Sequence, residues 1–337
     1  MAGDKQNITI VVKAKGIKQA QAQMRALGGA TNSVTGGMAG MMAKIAGVAV
    51  VVGALIRGIK ASVKVFAEFE QGMANLKAIS GATGYSLLQL EANAKKLGAS
   101  TKFTSSEVSQ LSTEFAKLGF TSKEILKATS GTLSLASAVG SDLATSAAVA
   151  GATLRGFGLD TKETGRVTDV MALSFSRSAL DMAKFTDSMK YVAPVAKMAG
   201  FEVEGTTAML GALANSGISG SMAGTALRKI FLELSNESSV LSKRLGGQVT
   251  SVEELIPALK KLSKEGVTTA EMKDMVGQRA ISAFSILMNG AGTLEKLTEQ
   301  LENAGGAAEH MAKIQLDTLQ GKVTILNSAM SGLGIAL

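Results

Sequence analysis

The sequence predicts an all-α protein, because helix start signals recur along the chain while strong helix breakers are rare. Only two prolines occur in 337 residues, and proline interrupts helices more strongly than any other residue. After Phe66, glycine-containing breaks separate stretches of about 12 to 20 residues, the usual length of globular helices. We therefore expect short, capped helical hairpins that form a compact helical domain, flanked by longer apolar helices.

Helix starts are marked by four copies of the pattern apolar–[Ser/Thr]–x–x–[Glu/Gln]–apolar. In this capping box, the hydroxyl and the acid or amide satisfy backbone N–H groups of the first turn, and the flanking apolar residues form a hydrophobic staple. Each copy predicts a helix that begins after its Ser or Thr. The four copies are Tyr85-Ser86 with Gln89-Leu90, Phe103-Thr104 with Glu107-Val108, Phe120-Thr121 with Glu124-Ile125, and Val267-Thr268 with Glu271-Met272.

Glycine marks the predicted helix ends. Leu97-Gly98 and Leu118-Gly119 each precede a capping box, and this order predicts helical hairpins, because glycine accepts the left-handed conformation after a helix. Pro194 is expected to kink or interrupt a helix. Further breaks are predicted at Gly140-Ser141, Gly158–Asp160, Gly200, Gly217–Gly220, Gly246-Gly247 and Gly266.

The N-terminal part of the chain is basic. Residues 1–64 carry nine Lys or Arg side chains and one acid, Asp4, whereas the remaining residues carry 26 of each sign. No aromatic residue precedes Phe66, so the pattern of a nucleic-acid-binding surface is missing and no specific nucleic-acid partner is expected. The alternation around Ile8, Ile10 and Val12 predicts a short N-terminal strand.

An apolar segment follows, from Met38 to Ile56. It is 19 residues long, but Lys44 divides it, and the uncharged run Ile45–Ile56 has only 12 residues. This length favours a helix packed inside protein, while a membrane-active segment is the alternative. Met38, Ile45, Val50 and Ile56 mark the residues that would enter a membrane.

The most distinctive string lies within Thr206–Ile230. Gly217, Gly220 and Gly224, together with Ala223, are predicted to line a groove that a second helix can enter closely. A phosphate-binding loop is not predicted, because neither a Gly-Lys-Ser/Thr sequence nor a preceding buried strand is present.

Catalytic chemistry is not predicted. The chain has no cysteine and one histidine, His310, in a polar stretch that indicates a solvated helix residue. Glu253 and Glu254 are adjacent on a helix start, where acids favour the helix dipole, and their side chains diverge. We therefore predict no catalytic, cofactor-binding or metal-binding residue.

Several strings, in order, resemble the core region of the phage tail tape measure protein family. They are Leu97-Gly98 through Thr104-Ser105-Ser106-Glu107, Phe157-Gly158-Leu159, Met189–Phe201 and Ala208–Ile230, and the resemblance covers about Phe69 to Leu234. On this basis the chain divides into a basic segment at 1–36, an apolar, membrane-active or packing helix at 37–68, a core helical domain at 69–245, and further helices at 246–337.

The resemblance implies a structural virion protein without enzymatic activity. Such a protein sets tail length during assembly in the host cytoplasm, occupies the tail lumen as a homo-oligomer, and is released at infection to help DNA cross the host envelope. Implied partners are the tail tube protein, tail assembly chaperones, baseplate or tail tip proteins, and the host membrane. The alternative is a membrane-active, pore-forming protein of phage or toxin origin that uses Met38–Ile56.

Family members generally run on into long helical repeats, and some carry a peptidoglycan-cutting domain. The uncharged run Val323–Leu337 ends without a C-cap signal, a pattern typical of a truncated chain or a split reading frame. The resemblance leaves room for a lytic domain beyond that point.

Overall fold

The computed structural model describes residues 63–336, and in this part of the chain helices follow one another without a strand, which confirms the predicted all-α class. Two 3-10 turns, Thr161–Glu163 and Gln278–Ala280, interrupt the series. The helices are α1 (63–80), α2 (Gly84–Ser100), α3 (Ser105–Lys117), α4 (Ser122–Val139), α5 (Leu143–Phe157), α6 (Thr164–Arg177), α7 (Met182–Met198), α8 (Val203–Asn215), α9 (Gly220–Leu234), α10 (Val240–Leu245), α11 (Val252–Glu265), α12 (Thr269–Val276), α13 (Ile281–Asn289), α14 (Ala291–Glu302), α15 (Ala307–Leu316) and α16 (Leu319–Ala336).

Three of the four predicted capping boxes are confirmed. The hydroxyls of Thr104, Thr121 and Thr268 accept from the backbone N–H of the glutamate three residues on, and each glutamate accepts from the backbone N–H of its threonine. The prediction at Ser86 is wrong. Helix α2 begins at Gly84, two residues before Ser86. Ser86 therefore lies inside the first turn, and its hydroxyl donates to the carbonyl of Thr83 instead.

Most of the predicted glycine breaks coincide with helix ends. The prediction at Leu97-Gly98 is wrong: α2 continues through Gly98 to Ser100, and Gly98 serves close packing instead, since a Cβ atom there would lie 2.5 Å from the backbone nitrogen of Ser105. At Gly140 and Gly158 the backbone is left-handed, with φ of 67° and 62°, immediately after α4 and α5. By contrast, α7 continues through Pro194, so the helix is not interrupted there. Pro194 and Lys190, whose carbonyl loses its helical donor, are both exposed, so that carbonyl can bind water.

The core of the described residues combines alanine, serine and threonine with larger apolar side chains, chiefly leucine, so small residues do not do the packing alone. Four phenylalanines are fully buried, one each in α3, α7, α9 and α13: Phe115, Phe185, Phe231 and Phe284. The C-terminal helices pack against this same core, since α14 contacts α8, α15 contacts α4 and α6, and α16 contacts α2. Residues 246–336 therefore share their packing with the helices that precede them.

Some predicted features lie outside the described residues. They include the N-terminal strand at Ile8–Val12, the basic segment at 1–36 and the apolar segment Met38–Ile56; only 63–68 of the apolar helix predicted at 37–68 fall in α1. Among the helices that the structure describes, none combines the length and apolar character needed to cross a membrane. His310 is exposed on α15, as predicted.

Candidate functional site

The predicted groove residues lie where α9 packs along α7. A Cβ atom built on Gly224 would overlap the carbonyl oxygen of Ser188 and lie 2.9 Å from its carbonyl carbon and Cα. The backbones therefore meet directly, because glycine leaves no side chain between them. The Ser188 hydroxyl adds a hydrogen bond of 2.8 Å to the Gly220 carbonyl, which fixes the start of α9 against α7.

The other predicted groove residues occupy different environments. Ala223 is buried beside Gly224. Gly217 lies in the turn before α9 with φ of 85°, and no atom lies within 4 Å of its hypothetical Cβ. Gly220 begins α9 with φ of 60°, and the nearest atom to its Cβ is 3.8 Å away, on Asp187. Close approach of α9 to α7 thus depends on Gly224. Gly217 and Gly220 instead adopt the positive φ angles of the turn before α9.

A second polar contact joins α6 to the start of α8. The Arg166 guanidinium lies 2.7 Å from Glu204, 3.0 Å from Glu163 and 3.4 Å from Glu202. The Glu204 side chain is only 8% exposed, and its Oε2 is buried without a hydrogen-bond partner among the described residues. The pKa of Arg166 is raised, since burial opposes its charge but the carboxylates of Glu204 and Glu163 outweigh that cost.

A pair of carboxyl groups, Glu253 and Glu302, links α11 to α14 nearby. Burial raises the pKa of Glu302, and its hydrogen bond to Glu253 and the charges of Glu253, Glu204 and Glu202 raise it further. Burial also acts on Glu253, but hydrogen bonds from Ser251, from its own backbone N–H and from Glu302 lower its pKa. The two carboxyl groups therefore shift in opposite directions, with Glu302 the one that takes up a proton more readily.

The sequence gives no signal for this pair, because Glu302 lies far along the chain from Glu253. Glu254 behaves as predicted: its carboxylate accepts from the backbone N–H of Thr250, and its own N–H donates to Ser251. The carboxyl pair opens onto a cleft of about 490 Å³ that also contains Lys260 and Glu295, joined by an ion pair of 2.7 Å. In the part of the chain that the structure describes, no cluster of three or more acidic or histidine side chains could hold a metal ion.

A second open cleft, of about 500 Å³, lies between α2, α4, α15 and α16. Serine hydroxyls line one wall, and the ion pairs Glu309–Lys313 and Asp317–Lys322 lie along the other. Burial lowers the pKa of Lys102 at its edge, while the charge of Glu107 acts in the opposite direction.

Comparisons with known proteins agree with a tail component. Residues 91–312 match the family described as phage-related minor tail protein. The chain is 33% identical over 290 residues to the tape measure protein of Pneumococcus phage Dp-1, covering 82% of this chain and 25% of that protein. It is 30% identical over 321 residues to the probable tape measure protein of Escherichia phage P2, covering 89% of this chain and 39% of that protein. No solved structure matches.

The matched region includes every helix from α3 to α14, and with them the Gly224 contact and the Arg166 cluster. The chain spans between a quarter and two fifths of the length of the curated relatives it matches. Three observations support the same family: the helical fold, the family match over most of the chain, and the two tape measure relatives. The chain therefore belongs to the phage tail tape measure protein family.

Proposed function

We propose that this protein sets the length of a phage tail during assembly in the host cytoplasm, occupies the tail tube lumen, and leaves at infection to help DNA cross the host envelope. The observation that carries the proposal is the similarity to two tape measure proteins over 82% and 89% of the chain. In this role the protein is structural and not an enzyme.

The geometry suggests that the folded helices and the length-measuring part of the complete phage protein are different segments. The 274 described residues would extend over about 410 Å as one straight helix. Folded as a compact domain of that size, they have an expected radius of gyration of about 19 Å. The folded helices therefore contribute little length, and the measuring part consists of whatever extended helices the complete protein carries outside them.

The proposed partners are the tail tube protein, the tail assembly chaperones and the baseplate or tail tip proteins. Large apolar side chains are exposed on the described surface, among them Met198 at 79% and Tyr191 at 43%. Exposed apolar side chains bind other proteins where they form a contiguous patch. A chaperone that covers them until the tube closes would prevent premature association.

Electron microscopy of phage particles tests the proposal. In-frame deletions of helical residues outside 63–336 in the complete gene should shorten tails by about 1.5 Å per residue removed. Deletions inside 63–336 should instead reduce the yield of tails, because they disrupt the shared core. Tails of unchanged length across the first deletion series would contradict the proposal.

A membrane-active role for Met38–Ile56 is the second candidate function. The observation that favours it is the sequence alone: an uncharged run at 45–56 followed within eight residues by Arg57, Lys60 and Lys64. Basic residues at that position can bind anionic lipid headgroups while the apolar run inserts.

A further inference from the structure

Apolar and polar side chains both line the cleft of about 500 Å³ between α2, α4, α15 and α16. Small-molecule sites usually combine carbon surface with a few polar groups in a volume of roughly 300–1,000 Å³. Polar groups that lack a partner in the protein therefore indicate what kind of ligand fits. The apolar lining consists of Leu97, Leu133, Leu316 and Ile325.

Ser137 contributes an unpartnered hydroxyl to this cleft. Its side chain lines the cleft and is only 5% exposed, and no hydrogen bond joins its hydroxyl to another described residue. Other hydroxyls of α4 are satisfied, since those of Thr129 and Thr132 donate to the carbonyls of Ile125 and Ala128. A nearly buried hydroxyl without a partner costs free energy. A ligand with an acceptor beside Ser137 supplies the missing hydrogen bond.

Lys102 contributes a half-buried positive charge that has no ion pair among the described residues. Burial lowers its pKa, and the charge of Glu107 only partly opposes that effect. The Glu107 carboxylate itself accepts hydrogen bonds from the backbone N–H and the hydroxyl of Thr104. An anion bound next to Lys102 supplies the counter-charge that the described residues do not provide.

The other charges that line the cleft compensate one another. Glu309 pairs with Lys313 at 2.6 Å, and Asp317 pairs with Lys322 at 2.8 Å. Each lysine lowers the pKa of its carboxyl partner, which keeps both pairs ionised. The lining therefore has one positive charge in excess, that of Lys102, and this excess favours a negatively charged ligand.

We propose that this cleft binds a small organic oxyanion, a carboxylate or phosphate group carried on an apolar carbon chain. The oxyanion pairs with the ammonium group of Lys102 and accepts a hydrogen bond from the Ser137 hydroxyl. The carbon chain packs against the leucine and isoleucine side chains of the lining. Binding of this kind does not require that the protein sets tail length.

Isothermal titration calorimetry of the 337-residue chain tests the ligand class with four probes: hexyl phosphate, hexanoate, inorganic phosphate and hexylammonium. At least one of the two hexyl oxyanions should bind at one site per chain, inorganic phosphate should bind more weakly, and hexylammonium should not bind. Tighter binding of hexyl phosphate identifies a phosphate ester as the ligand, and tighter binding of hexanoate identifies a carboxylate. If neither hexyl oxyanion binds, or if hexylammonium binds as well as they do, the proposal is wrong.

Variants of the two unpartnered groups test the site itself. Lys102→Gln should weaken binding of the hexyl oxyanion by about tenfold or more, the loss expected for a hydrogen bond to a charged group. Ser137→Ala should weaken it by a smaller factor, and both variants should keep the melting temperature of the unmodified chain. Lys296→Gln is the matched control, because Lys296 is exposed on α14 and does not line the cleft. Equal affinities of Lys102→Gln, Ser137→Ala and Lys296→Gln would overturn the proposal.

Discussion

Gly224 leaves no room for a side chain between α9 and α7. We expect Gly224→Ala to destabilise the protein by about 1–3 kcal/mol, because the added methyl group overlaps the backbone of Ser188 and must push the helices apart. Thermal or urea unfolding of the whole chain measures this change.

Gly292→Ala is the matched control for that substitution. Gly292 lies in α14, is exposed, and has no atom within 4 Å of a hypothetical Cβ. There alanine should leave the stability unchanged or increase it by up to about 1 kcal/mol, since alanine is the better helix former. Similar effects of the two substitutions would show that α9 does not depend on close approach.

The raised pKa of Glu302 predicts a particular dependence of the free energy of unfolding on pH. Its pKa is raised in the folded protein, so its stabilising contribution is complete below its unfolded pKa and is lost as the pH rises through the folded value. Glu302→Gln keeps a donor for Glu253 but cannot ionise. The variant should therefore gain stability relative to the unmodified protein as the pH rises above the ordinary glutamate pKa of about 4.3.

Urea unfolding at a series of pH values measures the difference between the two proteins. Glu299→Gln removes another acid from the same cleft without removing the hydrogen bond to Glu253, and it serves as the control. A difference that stays constant with pH for Glu302→Gln would contradict the raised pKa of Glu302.

At the residue scale, the sequence predicts contacts between residues that are close together in the chain. Thr104 and Glu107 are three residues apart, so their capping box can be read directly from the spacing. The contact between Gly224 and Ser188, and the pair Glu253 and Glu302, depend on how distant helices pack. No local pattern encodes them, which is why the role of Gly224 could not be separated from that of Gly220.

At the scale of elements, α15 owes its start to a side chain from α6. The carboxylate of Asp169 accepts from the backbone N–H groups of Gly306 at 2.8 Å and Ala308 at 2.9 Å. Asp169→Ala should destabilise the protein by about 1.5–3 kcal/mol, the range for hydrogen bonds to a charged group. Hydrogen exchange at these two amides should accelerate more than elsewhere.

Asp187→Ala is the control for this prediction. Asp187 forms an exposed ion pair with Lys190, and such pairs contribute at most about 1 kcal/mol. Unchanged exchange at Gly306 and Ala308 in Asp169→Ala would show that α15 does not need this cap.

A peptide covering Met38–Lys64 tests the membrane hypothesis. We expect it to bind anionic vesicles and release small dyes, because Arg57, Lys60 and Lys64 follow the apolar run. Val50→Asp should abolish release, since an acid in the middle of the run costs about 2.5–3.5 kcal/mol on insertion scales. An unmodified peptide that stays in solution would end the membrane hypothesis.

Helix positions were predictable to the extent that their termini carry local signals. Glycine breaks and threonine caps located most boundaries correctly. At Ser86 the same pattern failed, because the turn at Gly84 starts the helix before the serine. Pro194 does not interrupt α7 for a different reason: the Lys190 carbonyl that loses its donor belongs to an exposed residue, so water can bind it.

At the scale of the whole molecule, the sequence indicates the class of fold but not which helices pack against each other. Periodicity and capping describe each helix separately, whereas the placement of α16 against α2 depends on Ser328 and the carbonyl of Gly98, which are 230 residues apart. Small residues such as serine and glycine form many of these contacts. Because such residues are common throughout the chain, their partners cannot be chosen from the sequence.

The contact between α16 and α2 also determines when the fold can be completed during synthesis. The docking site on α2 leaves the ribosome 230 residues before Ser328 arrives to cover it. At about 5–20 residues per second, the wait lasts roughly 10–50 s. During that time the part of α2 that α16 later covers is exposed to other nascent chains in the same polysome. Premature contacts between nascent chains are therefore avoided only if such encounters are slow or if another protein covers α2 first.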